Sequence, residues 1–206
     1  IKGWNNIVRG IKKNKTICGV AYPRRYSIGV SKLRRELKKG TIGKLKIIKS
    51  NFSQDFRKYR PDYKKTYYAK QSLGGGIIMD GLIHHIDLQC LFAGEVKLTS
   101  AVYEKMVFTG VECEDTALIN LKYGAGVLGS IIGNQFQKPN EDTIELIGTK
   151  GNISYDRILG KITIINSDSN RYKTFFIKES WDDIIQNQIN CFIKAISFKD
   201  NLRTSL

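Results

Sequence analysis

The chain has 206 residues, of which 41% are hydrophobic and 26% charged, a balance ordinary for a soluble globular protein with one substantial core. No run approaches the roughly 18 consecutive apolar residues of a membrane span, and the first residues carry no signal-peptide pattern. The net charge of +15 is uneven: residues 1–70 hold 21 Lys and Arg against three acids (Glu36, Asp55, Asp62), whereas the rest of the chain holds 13 basic and 16 acidic residues. Tyr59, Tyr63, Tyr67 and Tyr68 interleave with the basic run as base-stacking residues do. A solvated Lys-rich surface accounts for the same residues, and that reading is preferred to nucleic-acid binding. The four cysteines (Cys18, Cys90, Cys113, Cys191) have neither C-x-x-C nor zinc spacing. They are expected to be buried free thiols, as suits a reducing cytoplasm.

In chain order, Trp4, Ile7, Val8 and Ile11 mark a helix over Trp4–Lys13. Thr16–Tyr22 is short, β-branched and apolar, and predicts a strand buried on both faces. Ser27 can cap a helix running to Lys39, with Val30, Leu33 and Leu37 inward and Gly40 as the stop. Lys44–Phe56 reads as a strand and 57–73 as a long irregular loop. After a glycine-led helix that ends near Gly94, strands are predicted at about 96–108, 114–122, 125–135, 142–149, 151–155, 161–166 and 171–177. Trp181–Phe198 closes the chain as an amphipathic helix. The expected fold is α+β: a large, mostly antiparallel sheet with helices on one face.

The segment Gly74-Gly75-Gly76-Ile-Ile-Met-Asp80-Gly-Leu-Ile-His84-His85-Ile-Asp87 holds both histidines of the protein. Three successive glycines mark a tight loop or a close approach to backbone. On the helix that follows, Asp80, His84 and Asp87 share a face. An Asp and a His so placed can transfer a proton, and they can equally form a structural pair; the spacing leaves both readings open. His85 points to another face. A metal site would need further ligands from carboxylates or distant cysteines, and it ranks below acid–base chemistry.

The pattern GGG-x-x-x-D-x-x-x-H-x-x-D resembles the glucose–fructose oxidoreductase, inositol dehydrogenase and MocA oxidoreductases. Gly19-Val-Ala-Tyr-Pro-Arg-Arg-Tyr26, Leu37-Lys-Lys-Gly-Thr-Ile-Gly43-Lys and Ile144-Glu-Leu-Ile-Gly148-Thr-Lys-Gly-Asn-Ile153 match further family segments in order. The resemblance implies a two-domain oxidoreductase using NAD or NADP. Residues 1–24 would end a truncated dinucleotide-binding domain, and residues 25–206 would form the domain for substrate and oligomerisation. It implies His84 and Asp80 as the catalytic pair, and Asp87, Arg25 and Asn140 as substrate-binding. Arg24 would face the cofactor, and no metal is implied. The expected partners are a small sugar, polyol or nucleotide-linked sugar and other copies of the chain, in a dimer or tetramer through the sheet. The family's G-x-G-x-x-G fingerprint and its active-site lysine are absent from this sequence, so the chain alone is not expected to transfer hydride. The loop Lys138-Pro139-Asn140 lacks the tyrosines of polyol dehydrogenases, which argues against an inositol-like substrate. A non-catalytic sheet domain serving assembly or ligand binding is the alternative.

Overall fold

A computed structural model of the chain describes residues 3–167 and 171–198. Its centre is an eight-stranded sheet in the order β2-β3-β4-β1-β5-β6-β7-β8. The strands are β1 (Leu45–Asp55), β2 (Val96–Glu104), β3 (Thr116–Tyr123), β4 (Leu128–Asn134), β5 (Phe136–Gly148), β6 (Gly151–Asp156), β7 (Lys161–Asn166) and β8 (Arg171–Phe176). Every neighbouring pair is antiparallel except β1 and β4, which run parallel with Ser50 opposite Ile131. The helices are α1 (Trp4–Asn14), α2 (Ile28–Lys38), the single turn α3 (Phe56–Tyr59), α4 (Ile83–Ala93) and α5 (Trp181–Phe198). The architecture is α+β, as the alternation of strand residues predicts. Among the described residues no helix is long and apolar enough to cross a membrane.

Alternation decides which side of the sheet is covered. Ile48, Ala117, Ile119, Leu121, Ile131, Ile144, Leu146, Ile153, Ile162 and Ile164 point to one side and are buried with Val30 and Leu33 of α2 and Leu88 of α4. A period of two on each strand places all of them on that side. Helix α4 is tethered by more than apolar contact. Buried Gln89 donates to Ser50 Oγ (3.0 Å) and to the Ser130 carbonyl (2.9 Å), and accepts from Tyr123 Oη (3.1 Å). Ser27 caps α2 by accepting from the amides of Gly29 and Val30, and its hydroxyl donates to Glu179.

Two expectations fail. Thr16–Tyr22 forms no strand among the described residues and is largely exposed. A doubly buried strand needs neighbours for its backbone groups on both edges and cover on both faces, and the described residues supply only an isolated bridge at Gly19. Of the cysteines only Cys113 is buried, while Cys18, Cys90 and Cys191 are half-exposed. The loop 57–73 is better anchored than its composition suggests. Tyr63, Tyr68 and Ala69 pack with Phe56, Phe108 and Val111 in a second, aromatic core. Tyr63 and Tyr68 are therefore core residues and are not available to stack on bases.

Candidate active site around His84

The glycine run turns the chain tightly into the site helix. Gly74 and Gly76 have φ of 80° and 90°, which only glycine adopts without strain. A side chain on Gly75 would strike the Tyr68 carbonyl, and one on Gly76 would strike the Glu114 carboxylate. Glu114 holds the helix start: its carbonyl accepts from the Ile77 amide at 3.1 Å and its carboxylate from the Ile78 amide at 3.0 Å. An anion on the first amides of a helix is electrostatically favourable. Gly75 and Gly76 thus serve close packing while Gly74 supplies the left-handed turn, and the Glu114 carboxylate already occupies an amide at the helix start. This loop does not fit a dinucleotide.

The helix opens with a π-helical turn over Ile78–Leu82 before continuing as α4. Asp80 accepts a hydrogen bond from the Tyr67 hydroxyl. Burial, then the Asp80 carboxylate, push that hydroxyl up to about 12. Among the described residues no hydrogen bond or ion pair joins Asp80 to His84. Asp87 instead meets Arg25: Nε donates to Oδ1 and Oδ2 (3.0 and 2.8 Å) and Nη2 to Oδ1 (2.6 Å). Burial of Asp87 raises its carboxyl more than Arg25 lowers it. The forked geometry nevertheless marks a charged pair. Two of the residues expected to bind substrate are therefore joined to each other beside His84.

His84 is half-buried, with its ring edge-on to Tyr22 at 6.0 Å between centroids. Desolvation, followed by the positive charge of Arg24, lowers its pKa to about 4. The imidazole is therefore neutral at physiological pH. Its Nδ1 is buried without a partner.

Arg24 and Asn140 face inward tasks. Arg24 is 6% exposed, and its Nη1 donates to both oxygens of Asp142 (2.8 and 2.7 Å). Its guanidinium also lies 5.2 Å from the Phe52 ring centre. Asn140 accepts from the Asp55 amide (2.9 Å) and donates to Tyr59 Oη (2.7 Å), bracing the 57–73 loop.

Sequence reasoning passed over Asp142 and His85. Asp142 on β5 is buried and also accepts from Arg157 Nε at 2.6 Å. His85 Nε2 lies 3.3 Å from Asp142 Oδ1, within ionic reach but without hydrogen-bond alignment. Burial alone would raise the Asp142 carboxyl, yet Arg24, His85 and Arg157 hold it well below the usual carboxylate range. His85 is fully enclosed, and desolvation lowers its pKa against the pull of Asp142. The adjacency of two histidines was the only sequence signal for this cluster. Among the described residues no group of three His, Cys, Asp or Glu is placed to hold a metal ion.

Known proteins share the fold of this chain. Myo-inositol 2-dehydrogenase of Thermotoga maritima is 25% identical over 202 residues, covering 93% of this chain and 58% of that protein. A levoglucosan dehydrogenase in complex with NADH and L-sorbose superposes with a TM-score of 0.82 at 18% identity, over 90% of this chain and 58% of the other. An NAD binding oxidoreductase from Klebsiella pneumoniae superposes with a TM-score of 0.86 at 13% identity, over 98% and 63%. These likenesses establish the fold, and the chain spans about three-fifths of the length of such relatives. The sequence profile of the GFO/IDH/MocA C-terminal domain matches residues 30–154. With more than half its length matched, the chain belongs to the GFO/IDH/MocA C-terminal domain family.

Proposed function

We propose that this chain is the substrate-side part of an NAD- or NADP-dependent oxidoreductase acting on a hydroxyl or carbonyl of a sugar, polyol or nucleotide-linked sugar. The observation that carries the reading is His84: a half-buried, neutral imidazole on the helix that follows the glycine turn, within a family of such enzymes. The names of the relatives (a myo-inositol dehydrogenase and a levoglucosan dehydrogenase holding NADH and L-sorbose) support the substrate class. When bound, the nicotinamide supplies the hydride chemistry. The G-x-G-x-x-G fingerprint that would cradle its phosphates is absent from this sequence, so we assign dinucleotide binding to a domain outside these residues.

The chain's own contribution is proton handling and orientation. With Nδ1 buried, Nε2 is the nitrogen offered to substrate. A neutral imidazole can take the hydroxyl proton in oxidation and return it in reduction. Asp80, held by Tyr67, is assigned to a substrate hydroxyl at the rim, a role that needs no contact with His84. Asp87 and Arg25 are assigned to substrate as a pair, each keeping the other charged and in place. Arg24 and Asn140 keep the expected roles only indirectly, since their polar groups already serve Asp142 and the loop. Residues 1–24 are assigned to the edge of the dinucleotide domain. Exposed Trp4 and Ile7 on α1, which buries none of its residues, support that division.

The test is turnover by the protein carrying this chain together with its dinucleotide-binding domain. Reduced nicotinamide should appear with NAD or NADP and a member of a panel of sugars, polyols and nucleotide-linked sugars. Failure of every member of the panel, with both domains folded, would overturn the reading.

A second reading concerns assembly. The sheet side away from the helices exposes Leu98, Val102, Leu118, Leu128, Ile132 and Phe176, a set expected of a surface covered by another subunit. We assign that face to a homo-oligomer.

A further inference from the structure

Asp142 lies 118 residues from Arg24 and belongs to a strand, not to the site helix. Its carboxylate is nonetheless the point where three separate pieces of chain converge. Arg24 comes from the 3₁₀ turn Pro23–Tyr26, His85 from α4, and Arg157 from the turn after β6. Arg24, His85 and Asp142 are all nearly inaccessible, with side-chain exposures of 7%, 1% and 4%. A buried charge persists only if it is paired, and removal of one partner leaves the other stranded. Arg24 is also close enough to His84 to act on its charge, and His85 is its neighbour in sequence.

We propose that Asp142 is a positioning residue for His84: its buried ion pair with Arg24, packed beside the neutral ring of His85, fixes both the place of the imidazole and the charge around it. This rests on the reading of His84 as the proton-transfer group. Asp142 touches no substrate in this scheme. It acts by keeping the Arg24 guanidinium compensated, so that its full positive charge does not fall on His84. Tyr22 from the preceding segment packs edge-on against His84, and the groups whose charge acts on it are Arg24 from the 3₁₀ turn, His85 from its own helix and Asp142 from β5.

The protein has two histidines, so their ring signals can be followed by NMR in this chain and assigned with His85→Gln. In Asp142→Asn the Arg24 charge becomes uncompensated. The His84 pKa should then fall below its wild-type value by about one pH unit, as for an unshielded like charge nearby. A merely structural role predicts the opposite, since a loosened, better hydrated ring moves up toward its ordinary value. An unchanged or raised His84 pKa in folded Asp142→Asn would overturn the proposal.

If that variant does not fold, the charge-balanced Arg24→Gln/Asp142→Asn double variant serves. Removing both charges should raise the His84 pKa above wild type with the amide-exchange protection of α4 unchanged, because Arg24 lowers it more than Asp142 raises it; a rise that comes with lost protection is the loosening of a merely structural role and would overturn the proposal. No change in the double variant would overturn the proposal equally. Because the readout is titration, its failure is distinguishable from a failure of the catalytic reading, which shows in turnover.

Discussion

At the residue scale, burial has set the protonation of the site. His84 titrates near 4 against an ordinary 6.5, and His85 is lowered as well. Between those pH values the unfolded chain takes up protons that the folded chain refuses, so stability is lost as pH falls through that window. His84 alone contributes up to about 3 kcal/mol of this loss. Asp142, depressed below the carboxylate range, adds a further loss at lower pH still. Urea titrations between about pH 6.5 and pH 4 should show a falling unfolding free energy, with a shallower fall in His84→Gln. A flat profile in the wild-type chain would show that His84 is not desolvated. That Asp80, His84 and Asp87 fall along one helical stretch could be read from spacing. Their partners could not. Tyr67, Arg25 and Asp142 reach the site from other elements, and no local pattern marks a strand aspartate as the anchor of an arginine 118 residues away.

At the element scale, the site helix depends on how tightly the chain enters it. Gly75 sits against the Tyr68 carbonyl, so a methyl group there collides with backbone, which has little room to yield. Gly75→Ala should cost about 2–4 kcal/mol by the strain it forces on this turn. It should also displace Asp80 relative to Tyr67. Thermal melting and the ring signal of Tyr67 would check both, and wild-type stability would refute the close packing.

Farther along, Gln89 pins α4 to the sheet through Ser50, Ser130 and Tyr123. Gln89→Leu strands the buried Tyr123 hydroxyl and should lower stability by about 1–3 kcal/mol, measurable by urea unfolding. Most elements were legible in the sequence because each is amphipathic with a clear stop: Ser27 and Gly40 around α2, Gly94 after α4, and the turn glycines between strands. Thr16–Tyr22 misled for a physical reason. Its composition describes a strand enclosed on both sides, and composition carries no information about whether the enclosing strands belong to the same chain.

At the scale of the whole molecule, the sheet has two unlike faces. One packs on α2 and α4, while the other presents rows set by register: Val102 beside Leu118 beside Ile132, and Leu98 beside Lys122 beside Leu128. If copies of the chain associate through this face, Leu118→Asp/Ile132→Asp should shift sedimentation to a smaller species without changing the circular dichroism. A wild-type chain that already sediments as a monomer would refute that association. The basic excess, by contrast, is partly spent inside the fold, since Arg24, Arg25 and Arg157 neutralise Asp142 and Asp87.

The most direct test of the account is the turnover of His84→Ala in the protein that joins this chain to its dinucleotide-binding domain, with circular dichroism to verify the fold. The account predicts a loss of about 10²–10⁴-fold in kcat with an unaltered spectrum. A folded His84→Ala enzyme that oxidises its sugar at the wild-type rate would contradict it.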